Sequence, residues 1–145
     1  MNKEELLLIN LAVLEEKYLI KIIESDVISC MQDEKIKQIL LEVVKKYEDC
    51  VDSYTDLLDE IKKDRAFDEV LNHLYKLESD KEGSILNECI RRIKYNHIKK
   101  QNNILTKELK IKDDPEKMKQ FMDNMKKINI LDFEDENEKL SIRGN

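Results

Sequence analysis

The chain has 145 residues, long enough for one domain with a hydrophobic core. Charged residues make up 40% of it, and two glycines and one proline supply too few tight turns for a β-sandwich or β-barrel. The sequence contains no apolar run of about 20 residues and no signal or transit segment at its start. We therefore expect an all-α, soluble, cytoplasmic protein without a membrane span.

The number of cysteines and the net charge disfavour further classes of protein and site. The three cysteines, Cys30, Cys50 and Cys89, are odd in number and widely spaced, and no CxxC pair occurs. This pattern disfavours a disulfide framework and a structural zinc site. The net charge of −6 disfavours non-specific binding of nucleic acid by the chain as a whole.

The first eighty residues predict a compact bundle of short helices. Apolar residues recur there at three- and four-residue steps, and Asp33, Ser53 and Asp64 each suit a helix N-cap. Whether residues 6–23 form one helix or two stays open, because no proline or glycine separates them. We interpret residues 1–80 as an N-terminal helical-bundle subdomain.

The second part of the chain predicts a helical hairpin. Residues 81–111 contain no helix breaker after Gly83, so they predict one long helix of roughly 45 Å. Asp114 then suits an N-cap and Pro115 the first position of another helix, which gives an antiparallel hairpin. We interpret residues 81–131 as the long connecting helix and hairpin, and the acidic residues 132–145 as a disordered tail.

No constellation of residues predicts catalysis. His73 and His97 lack the spacing of metal ligands, no phosphate-binding GxxxxGK[ST] motif occurs, and Cys89 lies on an apolar helix face. Cys89 is therefore interpreted as a buried structural thiol and the histidines as partly buried helix residues. The sequence predicts no enzyme activity, no cofactor and no metal for this chain.

A basic run from Arg91 to Lys112 has three interpretations. It could bind nucleic acid with help from Tyr95 as a stacking surface, it could solubilise an exposed helix, or it could meet an acidic patch on a protein partner. The net acidic chain favours solubility over nucleic acid, and the choice between solubility and an acidic partner stays open. The candidate contact residues are Lys99, Lys100 and Lys107.

A row of methionine and phenylalanine on the last helix has two interpretations. Part of it must pack inside the hairpin, but two helices bury at most one face of each other. Flexible methionines are also common on surfaces that bind partner helices. The candidate docking residues are Phe121, Met122, Met125, Ile128, Ile130 and Leu131. Docking face and hairpin core are equally compatible with the pattern.

The order of these elements resembles the C-terminal helicase-binding domain of bacterial (DnaG-type) DNA primase. Four segments carry the resemblance: EELLLI at 4–9, QDEKI at 32–36, DLLDEI at 56–61 and ECIRRIK at 88–94, followed by the hairpin turn with Asp114. The resemblance covers about residues 3–131. The sequence departs from the family in lacking a proline near Glu15 and in extending beyond Leu131.

The resemblance implies a function in DNA replication. In that family the hairpin docks on the N-terminal domains of the hexameric replicative (DnaB-type) helicase, and the bundle modulates helicase activity. Primer synthesis belongs to catalytic domains upstream, so the chain is expected to be a monomeric, non-catalytic fragment with weak or no DNA binding. The alternatives are the N-terminal domain of the replicative helicase itself, or a free-standing helical adaptor.

Overall fold

In the computed structural model, residues 2–49, 53–72, 76–78 and 80–143 are described, with side chains except at positions 66, 71 and 137–143. These residues form seven α-helices and one short 3₁₀-helix, and no β-strand occurs among them. The α-helices are α1 (Lys3–Ala12), α2 (Glu16–Ser25), α3 (Glu34–Glu48), α4 (Tyr54–Lys63), α5 (Arg65–Leu71), α6 (Glu82–Ile111) and α7 (Pro115–Arg143), and the 3₁₀-helix is Val27–Cys30. The all-α prediction is confirmed.

The chain divides into two compact units, Met1–Ile93 and Lys94–Asn145. The boundary falls later than the sequence analysis expects, because α6 contributes its first turns to the first unit. There its apolar side chains Leu86, Cys89 and Ile90 join the core of the helical bundle. The second unit contains the remainder of α6 and the whole of α7.

Residues 6–23, for which the sequence left one helix or two open, contribute to two helices. Helix α1 ends at Ala12, and Glu15 adopts an extended conformation with φ −146° and ψ 143° before α2 begins. Helix α2 ends at Ser25 and is followed by Asp26, whose positive φ of 59° is one that aspartate tolerates better than most residues. No proline is needed at either break.

Helix α1 lies at the centre of the first unit. Its side chains are buried on nearly every side of the helix, at Leu6, Leu8, Ile9, Leu11 and Ala12. A helix that is apolar all round belongs in a core, whereas α3 and α4 bury only one face. The N-caps predicted for these two helices are confirmed. The Asp33 side chain accepts the N–H groups of Lys35 and Ile36, and Ser53 accepts that of Asp56.

A carboxylate is buried within this core. Glu5 is 1% exposed and accepts the backbone N–H groups of Gln32 and Asp33, which precede α3. These bonds join α1 to a segment distant in the chain and pair the buried carboxylate with two backbone donors. Burial raises the pKa of Glu5 above its ordinary value, although the two N–H groups oppose that rise.

A buried hydrogen bond anchors the start of α6. The Tyr18 hydroxyl on α2 donates to Glu82 Oε2 at 2.7 Å, and Glu82 is the first residue of α6. Both residues are buried. Negative charge at a helix N-terminus is favourable, so Glu82 is stabilised by its helix as well as by Tyr18.

We expect Tyr18→Phe to lower the free energy of unfolding by roughly 2 kcal/mol, because it leaves the buried Glu82 carboxylate without its donor. Tyr47→Phe is the matched control, since Tyr47 donates to Glu16 at the same 2.7 Å in an exposed setting. Chemical denaturation followed by circular dichroism measures both. Equal losses for the two variants would contradict the role given to burial.

Candidate functional site: the helical hairpin

The turn between α6 and α7 is built by local hydrogen bonds. Asp114 Oδ1 accepts the backbone N–H groups of Glu116 and Lys117 at 3.0 and 3.2 Å, and Pro115 is the first residue of α7. Lys117 Nζ lies 3.0 Å from Glu108 Oε2 on α6. The predicted cap is therefore confirmed, and the two helices run antiparallel from the turn.

Two asparagines lie at the centre of the hairpin. Asn124 Nδ2 donates to Asn102 Oδ1 at 2.8 Å, and Asn102 Nδ2 donates to the Phe121 carbonyl at 3.3 Å. Both asparagine residues are 4% exposed. Leu105 on α6 and Ile128 on α7 are buried beside them. This row of facing side chains, which we call the seam, holds the two helices together.

The seam follows the alternating three- and four-residue spacing of an antiparallel coiled coil. Its positions are 98, 102, 105 and 109 on α6, and 117, 121, 124, 128, 131 and 135 on α7. All of these side chains are buried or half-buried. Any exposed apolar side chain elsewhere on the hairpin is therefore surplus to its packing.

The structure divides the predicted docking residues into two groups. Ile128 is 6% exposed, so its assignment to an accessible docking surface is corrected. It lies one helical turn beyond Asn124 and therefore faces α6. Phe121 and Leu131 are half-buried seam residues. Met122, Met125 and Ile130 are exposed, with Ile130 the most exposed of the three.

The exposed methionines form one row on α7. Met118, Met122 and Met125 follow at four- and three-residue steps and are 49%, 53% and 39% exposed. Such spacing places them on one side of the helix, next to the seam but outside it. Met118 belongs to this row, although the candidate list from the sequence omitted it.

Phe133, at 63% exposed, is another apolar residue that the predicted docking residues do not include, as are Ile104 and Ile111 on α6. Phe133 lies in the segment expected to be a disordered tail, and that expectation is corrected because α7 continues through Arg143. Residues 132–143 contain no proline or glycine, and the half-buried Leu131 and Asp135 extend the seam spacing. Continued seam packing supports a helix even where the composition is acidic.

The three candidate lysines, Lys99, Lys100 and Lys107, are all exposed on α6. Lys99 Nζ lies 5.1 Å from the centroid of the Tyr95 ring, a cation–π contact. Tyr95 itself is half-buried, so the stacking surface expected at this residue is partly covered by protein.

Cys89 lines a groove of about 410 Å³ in the first unit, whose apolar side chains are Leu7, Leu77 and Ile85. Burial raises the pKa of the Cys89 thiol to about 12, so it is protonated at neutral pH and a poor nucleophile. The interpretation of Cys89 as a buried thiol is confirmed. Cys50 and His73, which were also considered from the sequence, lie outside the described residues. His97 is half-buried on α6.

Neither a metal-binding cluster nor a membrane-spanning helix occurs among the described residues. In the described part of the chain, no cluster of three His, Cys, Asp or Glu residues is placed to hold a metal ion. No described helix combines the length and apolar character needed to cross a membrane.

No family model, curated protein or solved structure matches this chain. The chain is therefore classified by its architecture, an all-α protein in which a hairpin of α6 and α7 exposes a row of methionines. An exposed apolar row of this kind is typical of surfaces that bind a protein partner.

Proposed function

We propose that this chain is a helicase-binding domain of the bacterial (DnaG-type) primase kind, which docks primase on the replicative helicase through its hairpin. The observation that carries the proposal is the exposed row of Met118, Met122 and Met125 on α7. The order of a helical bundle, a long helix and a hairpin supports the same family that the sequence resembles.

The methionine row supports docking because the hairpin does not need it. The seam already provides the packing between α6 and α7, through the Asn102–Asn124 hydrogen bond and the buried Leu105 and Ile128. Methionine is flexible and polarisable, so a row of it adapts to the surface of a partner at little entropic cost. Burying the row in a complex would remove its apolar surface from water.

The mechanism that we propose is tethering. A hairpin bound to the helicase ring holds primase beside the template strand that the helicase exposes, and so raises its effective concentration there without new chemistry. A contact of modest affinity suits repeated priming, since several primases on one ring reinforce each other. Modulation of helicase activity by the bundle is part of the same proposal.

We expect Met122→Asp to weaken binding to the replicative helicase of the same organism about tenfold or more, because it places a charge within the docking row. Leu41→Asp on α3 is the matched control, since Leu41 is an exposed apolar helix residue of the first unit at 40% exposure. Light scattering follows complex formation while helicase ATPase activity is recorded in parallel.

Equal binding by the two variants would remove the methionine row from the proposal. A wild-type chain that forms no complex at micromolar concentrations with an intact helicase ring would overturn the helicase assignment. The free-standing adaptor would then become the better hypothesis, and a search for another protein partner would follow.

A further inference from the structure

The geometry of the hairpin places two rows of side chains on one side. Both helices are right-handed and they run antiparallel, so the residue one place after each seam residue lies on the same side of the hairpin for both helices. Nearest the turn, these residues are Lys99, Asn103, Thr106 and Lys110 on α6 and Met118, Met122, Met125 and Asn129 on α7, and all eight side chains are exposed. Farther from the turn, the α7 row continues with the exposed carboxylates Asp132 and Glu136. We call the eight positions nearest the turn the methionine–lysine face.

Charge is segregated across the hairpin. The eight positions of the methionine–lysine face carry no carboxylate, although Asp132 and Glu136 follow on the same side farther from the turn, and four more exposed lysines flank the face at Lys100, Lys107, Lys119 and Lys126. The carboxylates Glu108, Glu116 and Asp123 occupy positions one place before a seam residue, which puts them on the opposite side. The half of this side nearest the turn is thus both cationic and apolar, within a chain whose net charge is −6.

The lysines of this face are available to a partner. Among the described residues, none of the lysines on the face or flanking it forms an ion pair, whereas Lys117 beside the turn pairs with Glu108. Lys99 lies over the Tyr95 ring, and its ammonium group remains accessible to an anion. The face therefore presents positive charge that nothing in the described part of the chain neutralises.

We propose that the methionine–lysine face receives an amphipathic helix of the docking partner, with the apolar stripe of that helix on the methionines of α7 and its Asp/Glu edge along the lysines of α6. This inference rests on the proposed docking function and specifies which side of the hairpin is used and what chemistry it meets. A third helix laid against two antiparallel helices repeats an ordinary helix-packing arrangement.

An acidic helix fits this face better than nucleic acid does. A single-stranded nucleic acid would need aromatic side chains on which its bases stack, and the two rows contain methionine, asparagine and threonine instead. Tyr95, three residues before the first seam position of α6, is half-buried and partly covered by Lys99. A nucleic acid would also leave the methionines in contact with phosphate and sugar, whereas a helix would bury them.

The test compares two double charge reversals in the full chain. Lys99→Glu with Lys110→Glu changes the face, and Lys112→Glu with Lys127→Glu makes the same net charge change away from it. All four lysines are exposed, so both variants should fold, which circular dichroism checks. We expect the first variant to weaken binding to the replicative helicase at least tenfold at low ionic strength, with the difference shrinking in high salt. The second should change binding less than about threefold.

The outcomes separate this inference from the docking proposal. If the wild-type chain binds helicase and the two variants lose affinity equally, the face is overturned and docking stands. If the wild-type chain does not bind helicase, the proposed function itself fails. A labelled single-stranded DNA oligonucleotide is titrated in parallel. If the chain binds the oligonucleotide more tightly than it binds helicase, and only the first variant loses this binding, the ligand of the face is nucleic acid and not an acidic helix.

Discussion

Ile128→Asp is expected to destabilise the hairpin by roughly 4 kcal/mol. Ile128 is 6% exposed and faces α6 from the same side of α7 as Asn124. A carboxylate there is buried among seam side chains such as Leu131, with no partner to compensate its lost hydration. Amide hydrogen exchange of α6 and α7 in the full chain measures the effect, because it reports on the hairpin separately from the bundle.

Ile130→Asp is the control for this prediction. Ile130 lies two residues further along the same helix and is 58% exposed, so its replacement should change exchange in α7 by less than about 0.5 kcal/mol. If Ile128→Asp leaves hairpin protection intact and reduces only the binding of a partner, the burial assigned to Ile128 is contradicted. The interpretation from sequence, which placed Ile128 on the docking face, would then be the better one.

The contrast between these two isoleucines shows where sequence analysis reaches its limit. Apolar residues occur on several sides of α7, so their spacing alone does not reveal which side meets α6. The seam is centred on Asn102 and Asn124, two polar residues that a search for apolar periodicity passes over. A buried asparagine pair of this kind fixes the register of paired helices, usually at some cost in stability.

Features that depend on near neighbours were predicted well. The caps at Asp33, Ser53 and Asp114 are confirmed because a cap needs only a short polar side chain and an N–H two or three residues on. The all-α fold follows from composition and helical periodicity. The break between α1 and α2 at Glu15 could not be predicted in this way, because it occurs without proline or glycine.

Features that depend on distant contacts were missed. The continuation of α7 beyond Leu131 rests on packing along the seam, which the acidic composition of that segment conceals. Glu5 stands beside Glu4 in a run that suggests two solvated carboxylates, yet Glu5 is buried by contacts with residues near position 32. Burial of a charged residue is set by its long-range partners rather than by its own identity.

Glu5→Ala is expected to lower the free energy of unfolding of the bundle by roughly 4 kcal/mol. The substitution removes the carboxylate that accepts the N–H groups of Gln32 and Asp33, where each hydrogen bond to a charged group is worth about 1.5–3 kcal/mol, and it leaves a cavity. Denaturation in urea measures the loss. Glu42→Ala is the control, since Glu42 is exposed in the middle of α3 and should change stability by less than about 0.5 kcal/mol.

The same residue gives the bundle a defined pH dependence. Burial raises the pKa of Glu5 in the folded state above its ordinary value of 4.5, so the folded chain holds this proton more tightly than the unfolded chain does. The proton therefore favours folding below pH 4.5, and that contribution is lost as pH rises through the folded-state pKa. Glu5→Gln keeps an acceptor oxygen but has no proton to lose, so its stability should lack this decline. Urea denaturation of both chains between pH 4 and 8 tests the direction of the Glu5 pKa shift. A wild-type chain that gains stability relative to Glu5→Gln as pH rises across this range would show that the two N–H groups lower the pKa by more than burial raises it.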